Sequence, residues 1–264
     1  MKLSCLPVCY FNDLFITKTM SVEDWVKMAK EFGFNGIELY RSCLEGRGSG
    51  EINQLLTLIK KNGLEISMFT SSAYFSAVNE EELQKQIARI HQDIDFSSFF
   101  GVRVLNLTGG ALSENISQAE VLDSITRGIK ESLDYAQKRG IIVAIEDHPQ
   151  VTSKIENLLH LLGSVNDQRL KVNFDTANPL EAGDNGVELA KAINGRIANV
   201  HASDRNKDFE YTTIGEGAVD FPSIFKILKN SGYDGWISLE AGGKKSKEAI
   251  KKGITFIRET WDKA

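Results

Sequence analysis

The stretch that most constrains the fold is Ile141–Gln150, IIVAIEDHPQ, where an unbroken apolar run passes directly into Glu146, Asp147 and His148. The run follows the helix-stop signal Lys138-Arg139-Gly140, and an apolar segment of this length reads as a strand covered on both faces. Three ionisable groups at the end of a buried strand cost solvation energy unless they are paired, hydrogen-bonded or bound to a cation. Three later segments end the same way: Leu170–Asp175 in Asp175, Ile197–His201 in His201 and Gly235–Glu240 in Glu240. Side chains alternate along a strand, so Glu146 shares a face with Ala144, Asp175 with Asn173, His201 with Asn199 and Glu240 with Ser238. The opposite faces are apolar.

The rest of the chain repeats a strand, helix, glycine rhythm. Lys2–Tyr10 reads as a first strand, and Ser21 with Asp24 three residues on announces a helix to about Phe32. Asn35–Tyr40 is a second strand, Glu51–Lys61 a helix and Leu64–Phe69 a third strand. A loop at Thr70–Ser76, a helix from about Asn79 to Phe100, the strand Val102–Leu107 and a helix from Ser117 to Lys138 follow. After the central strand come helices at Thr152–Leu162, Val187–Ile193 and Asp220–Asn230, and a last one from about Ser246 to Trp261, with the other strands between them.

Strands alternating with helices predict a parallel sheet, and eight such units in 264 residues fit a closed (β/α)8 TIM barrel, a single domain over residues 1–264. No glycine-rich phosphate loop follows the first strand, and Gly215–Asp220 lies after strand seven, so a dinucleotide fold is the weaker choice. With 42% hydrophobic residues the chain can build a sizeable core. A net charge of -5 gives no electrostatic reason to expect a nucleic-acid partner. No stretch approaches a membrane span or a signal peptide, so a cytoplasmic protein is expected. Cys5, Cys9 and Cys43 read as small buried hydrophobes, with Cys5 and Cys9 on one face of the first strand.

In such a barrel the carboxyl ends of the strands open on one face, where active sites are built. Glu146, Asp175, His201 and Glu240 close strands five to eight and are consecutive around that rim. Three carboxylates and an imidazole in a small volume need a counter-charge, and one divalent metal ion supplies it. Nitrogen with oxygen ligands suits Mn, Mg, Co, Zn or Fe. Glu38 and Tyr40 have the parity to line the pocket from strand two, although Glu38 is equally placed to pair with Arg103 inside the barrel.

Over its whole length the chain resembles the xylose isomerase-like barrel superfamily of sugar (phosphate) isomerases and epimerases. The resemblance rests on AIEDH at 144–148, NFDTAN at 173–178, NVHASD at 199–204, GEGAVDFPSIFKIL at 215–228, YDGWISLE at 233–240 and NGIELY at 35–40. It implies a small sugar or sugar phosphate as substrate, Glu146, Asp175, His201 and Glu240 as metal ligands, and Glu146 and Glu240 acting on substrate protons. It also implies substrate contact at His148 and a homo-oligomer. Many relatives carry histidine three residues after the strand-six aspartate, where this chain has Asn178, a side chain that hydrogen-bonds without titrating near neutrality. Arg205 and Lys207 are both candidates for the basic residue that relatives place after the strand-seven histidine; each reads either as a phosphate ligand or as a solvated loop charge. Dehydration of a keto-inositol would share the same proton abstraction, and Asn178 keeps a non-catalytic sugar-binding barrel open. An endonuclease IV-like DNA repair activity needs a histidine-rich three-metal cluster, whereas this chain has only His91, His148, His160 and His201.

Overall fold

A computed structural model describes residues 1–75, 79–110, 112, 116–240 and 247–264. The apolar runs become β1 Lys2–Leu6, β2 Gly36–Tyr40, β3 Glu65–Thr70, β4 Val104–Leu107, β5 Ile142–Glu146, β6 Lys171–Asp175, β7 Ile197–Ala202 and β8 Trp236–Glu240. All pair in parallel, in the order β1-β8-β7-β6-β5-β4-β3-β2. Asn35 spans the seam between β1 and β2: its N–H donates to the Leu3 carbonyl at 2.8 Å, and its Oδ1 accepts the Leu3 N–H at 3.1 Å. The result is the (β/α)8 TIM barrel expected from the alternation of elements.

The helices are α1 Val22–Glu31, α2 Ser49–Lys61, α3 Glu80–Phe100, α4 Gln118–Lys138, α5 Ile155–Val165, α6 Asn178–Glu181, α7 Gly186–Ala192, α8 Phe221–Asn230 and α9 Lys247–Lys263. Ser21, Asn79, Ser117 and Asp220 cap α1, α3, α4 and α8 by accepting the N–H three residues on, each cap worth about 1 kcal/mol. The outer faces of the strands, with Val143, Ile145, Val172, Phe174, Ile237 and Leu239, share one buried cluster with helix residues such as Ile125, Ile129, Leu158 and Phe225. Inside the barrel Met68, Val104 and Ala144 form a small apolar floor. Beside it in the barrel interior lies a buried polar layer of Ser4, Glu38, Asn106, Asn173, Asn199 and Ser238.

The expected first strand is too long. Pro7 carries no N–H for a ladder, and the chain turns into a 3-10 segment, Val8–Tyr10, and a π-type segment, Asn12–Ile16. Cys9 therefore does not share a strand face with Cys5. Thr152 does not begin α5, because its hydroxyl donates to the Glu146 carbonyl at 2.7 Å and accepts the His148 N–H at 3.0 Å, holding the chain in a turn. The one-turn α6, with Pro179 in its first turn, adds to the expected elements. The expected loop end at Ser76 and helix start at Ser246 lie outside the described residues. Among the described residues no helix is long and apolar enough to cross a membrane.

Candidate metal and substrate site

The ends of β5, β6 and β7 bring Glu146, Asp175 and His201 together, with one ligand atom from each within 4.8 Å of the others. Asp175 pairs directly with His201, while Glu146 stands level with Asn173, the stagger of tilted barrel strands. Asp147, on the opposite face of the chain, is buried and accepts the Asp175 backbone N–H on Oδ1 at 2.6 Å, which ties the ends of β5 and β6 together.

Asn106 donates to Glu146 Oε2 at 2.8 Å, and His201 Nδ1 lies 3.3 Å from Glu146 Oε1. Burial alone would raise the Glu146 carboxyl, but the charge and hydrogen bond of His201, helped by His148 and Asn106, outweigh it and hold the group at about 2. Burial would likewise neutralise His201, yet Glu38 and Glu146 on either side of the ring lift it well above the ordinary histidine range. Glu240 goes the other way from Glu146: burial, and then the neighbouring Asp175 charge, push its carboxyl well above the carboxylate range.

Asp175 Oδ1 is fully used, accepting the N–H groups of Ala177 and Asn178 at 2.8 Å each and the Ser203 hydroxyl at 2.7 Å. Its Oδ2 and Glu240 Oε2 are buried without a hydrogen-bond partner among the described residues. Buried, unpartnered carboxylate oxygens beside an imidazole suit a divalent cation bound by nitrogen and oxygen. The donor set fits the metal expected here. Glu146, Asp175 and His201 form the tight group, with Glu240 beside it.

Above these residues lies a cavity of about 250 Å³. Leu6, Phe11, Tyr40 and Pro149 give it apolar and aromatic walls, and Thr70, Asn106, Thr108, His148, Asn178 and Tyr211 supply polar atoms. The side-chain oxygens of Thr70, Asn106 and Asn178 are buried without partners among the described residues, so the cavity presents open hydrogen-bonding positions. Of the substrate candidates, Tyr40, His148 and Asn178 line it. Glu38 lies in the polar layer, bonded to His201 and Asn199, while Arg103 is exposed, so the alternative Glu38–Arg103 pair does not form.

Arg205 is turned into its own loop. Its guanidinium donates to the Phe209 carbonyl at 2.7 Å, lies 2.8 Å from Glu181 and stacks 4.0 Å from the ring centre of Tyr211. Lys207 is exposed on the same loop. Asp204 organises that loop: its two carboxylate oxygens accept the N–H groups of Arg205, Gly215, Gly217 and Val219. A Cβ at position 217 would collide with the Asp204 carboxylate, which is why glycine stands there. Sequence reasoning overlooks Asn106, Thr70 and Tyr211. Asn106 has a readable signal, since it is a polar residue next to last in VRVLNL with the parity of Val104; Tyr211 lies in an irregular loop and has none.

An uncharacterized protein of Methanocaldococcus jannaschii is 32% identical over 152 residues, which cover 53% of this chain and about half, 52%, of that protein. L-ribulose-5-phosphate 3-epimerase UlaE of Salmonella heidelberg is 29% identical over 230 residues, covering 81% of this chain and 80% of the enzyme. Among solved structures, the IOLI protein with a bound zinc atom has the same fold, with a TM-score of 0.82 at 18% identity over 100% of this chain and 99% of its own. Residues 26–260 match the model of one family, and the chain belongs to it: the xylose isomerase-like TIM barrel family.

Proposed function

We propose that the chain is a divalent-metal-dependent isomerase or epimerase of a small ketose or ketose phosphate, working by proton transfer at a carbon next to the carbonyl. The observation that carries this reading is the convergence of Glu146, Asp175 and His201 within 4.8 Å at the floor of a polar-lined cavity, with the unpartnered Glu240 oxygen beside them. The similarity to an L-ribulose-5-phosphate 3-epimerase supports the same chemistry.

In this reading Glu146, Asp175, His201 and Glu240 hold the metal, which as a Lewis acid would lower the energy of negative charge developing on the substrate oxygens. Glu146 and Glu240 stand on β5 and β8, separated by β6 and β7, so their carboxyls approach a ligand between them from different sides. One removes the proton from carbon and the other returns it, on the opposite face for epimerisation. Asn106 holds Glu146 in place through its amide. His148, Asn178, Thr70 and Tyr211 hydrogen-bond the hydroxyls, while Leu6, Phe11 and Tyr40 keep bulk water from the reacting carbons.

Glu146→Gln and Glu240→Gln test the assignment with a ketose panel and polarimetric or chromatographic detection. Each is expected to lower kcat at least 100-fold, within the usual range for a lost acid-base group. Unchanged turnover in either variant removes that carboxyl from proton transfer.

A further inference from the structure

Glu38 lies outside the lining of the cavity, yet it is fully buried and committed to the metal-site histidine. From β2 it reaches across the barrel interior to β7, where its Oε2 lies 3.1 Å from His201 Nε2. Its other oxygen, Oε1, accepts from Asn199 Nδ2 at 3.3 Å, and Asn199 in turn donates to Asn173 Oδ1 at 2.9 Å. The carboxylate is thus oriented by its own partners. Asn173 Nδ2 is nearly equidistant from the two ring nitrogens, at 3.4 and 3.3 Å, and so selects neither. The ring has two distinct sides, with Nδ1 toward Glu146 Oε1 and Nε2 toward Glu38.

We propose that Glu38 is the positioning residue of the site: by accepting the Nε2–H of His201 it fixes the ring so that Nδ1 is the nitrogen offered to the cation. A histidine that binds metal through one nitrogen needs a partner for the other, and such outer partners are typically worth about 10–100-fold in affinity. The inference rests on the metal reading above and adds a residue that touches neither cation nor substrate. It also explains why a carboxylate is buried at this level of the barrel, where Ser, Asn and apolar side chains would otherwise suffice.

The test uses zinc, which is diamagnetic, on the full chain labelled with 15N-histidine. Zinc affinity is measured by competition with a chromophoric chelator for wild type, Glu38→Gln and Glu38→Leu, and metal-free melting curves show which variants fold. Wild type with zinc is expected to show His201 metallated at Nδ1 and protonated at Nε2. Glu38→Leu is expected to weaken zinc binding about 10–100-fold, and Glu38→Gln, which keeps an oxygen acceptor, by less. Zinc on Nε2 in wild type overturns the proposal without needing any variant. Affinity within twofold of wild type in a folded Glu38→Leu overturns it too while leaving the metal site intact. Should Glu38→Leu not fold, the wild-type spectrum and Glu38→Gln decide. A wild-type chain that takes up no zinc, manganese or cobalt overturns the metal reading itself, and this inference with it.

Discussion

Arg205 lies with its guanidinium 4.0 Å from the ring centre of Tyr211, and Tyr211 is a wall of the cavity. The cation therefore braces the aromatic side chain, with Glu181 and the Phe209 carbonyl holding it in place. Arg205→Met is expected to raise KM about tenfold, or about 1.4 kcal/mol, with kcat little changed, because a loosened wall weakens binding more than chemistry. The loss should be equal for a ketose and its phosphate ester. A loss confined to the phosphate ester would make Arg205 a phosphate ligand instead.

Asp204 and Gly217 form a second linked pair. Asp204→Ala leaves four backbone N–H groups without their acceptor, and each buried orphan costs about 1–3 kcal/mol. Thermal melts should show a loss of at least about 3 kcal/mol, with Asp204→Asn intermediate. Gly217→Ala should destabilise as well, since the added methyl meets the Asp204 carboxylate and the Arg205 carbonyl. A melting temperature unchanged in Asp204→Ala would mean that the loop is held by other contacts.

The shifted pKa values of the site's ionisable groups predict a pH dependence. His201 and Glu240 have folded pKa values raised above their reference values of 6.5 and 4.5, so the folded chain binds more protons than the unfolded one in those windows. Their contribution to stability is fully present below the unfolded pKa and is lost as pH rises through the folded one. Glu146 has the opposite sign: depressed to about 2, it contributes above 4.5 and its contribution is lost as pH falls through about 2. Metal-free protein should melt at lower temperature as pH rises from neutral, and a saturating divalent cation should reverse this. Cation binding should release protons, seen by calorimetry in buffers of different ionisation enthalpy. Binding without proton release would contradict the upward shifts of His201 and Glu240.

The strand ends were legible because each passes abruptly from apolar residues to one ionisable side chain: IVAIE, KVNFD and WISLE all end at the residue expected. Helix starts were legible where a cap is spelled out, as at Ser21, Asn79 and Ser117. The helix expected from Thr152 starts later, because the Thr152 hydroxyl is bonded within the preceding turn. Glu38 had the right parity, but its partner is a histidine 163 positions away across the barrel, and no local pattern encodes that distance. Arg205 and Tyr211 meet through a loop whose course is set by Asp204, and such a course has no periodicity to read.

The most direct test of proton transfer at this site is deuterium wash-in. Wild-type protein with its metal content measured is incubated in D2O with ketoses and ketose phosphates, and NMR follows the carbons next to the carbonyl with and without a chelator. Incorporation is expected at one such carbon, abolished by the chelator and restored by a divalent cation. Metal-loaded protein that binds a ketose without exchanging any carbon-bound proton would contradict it.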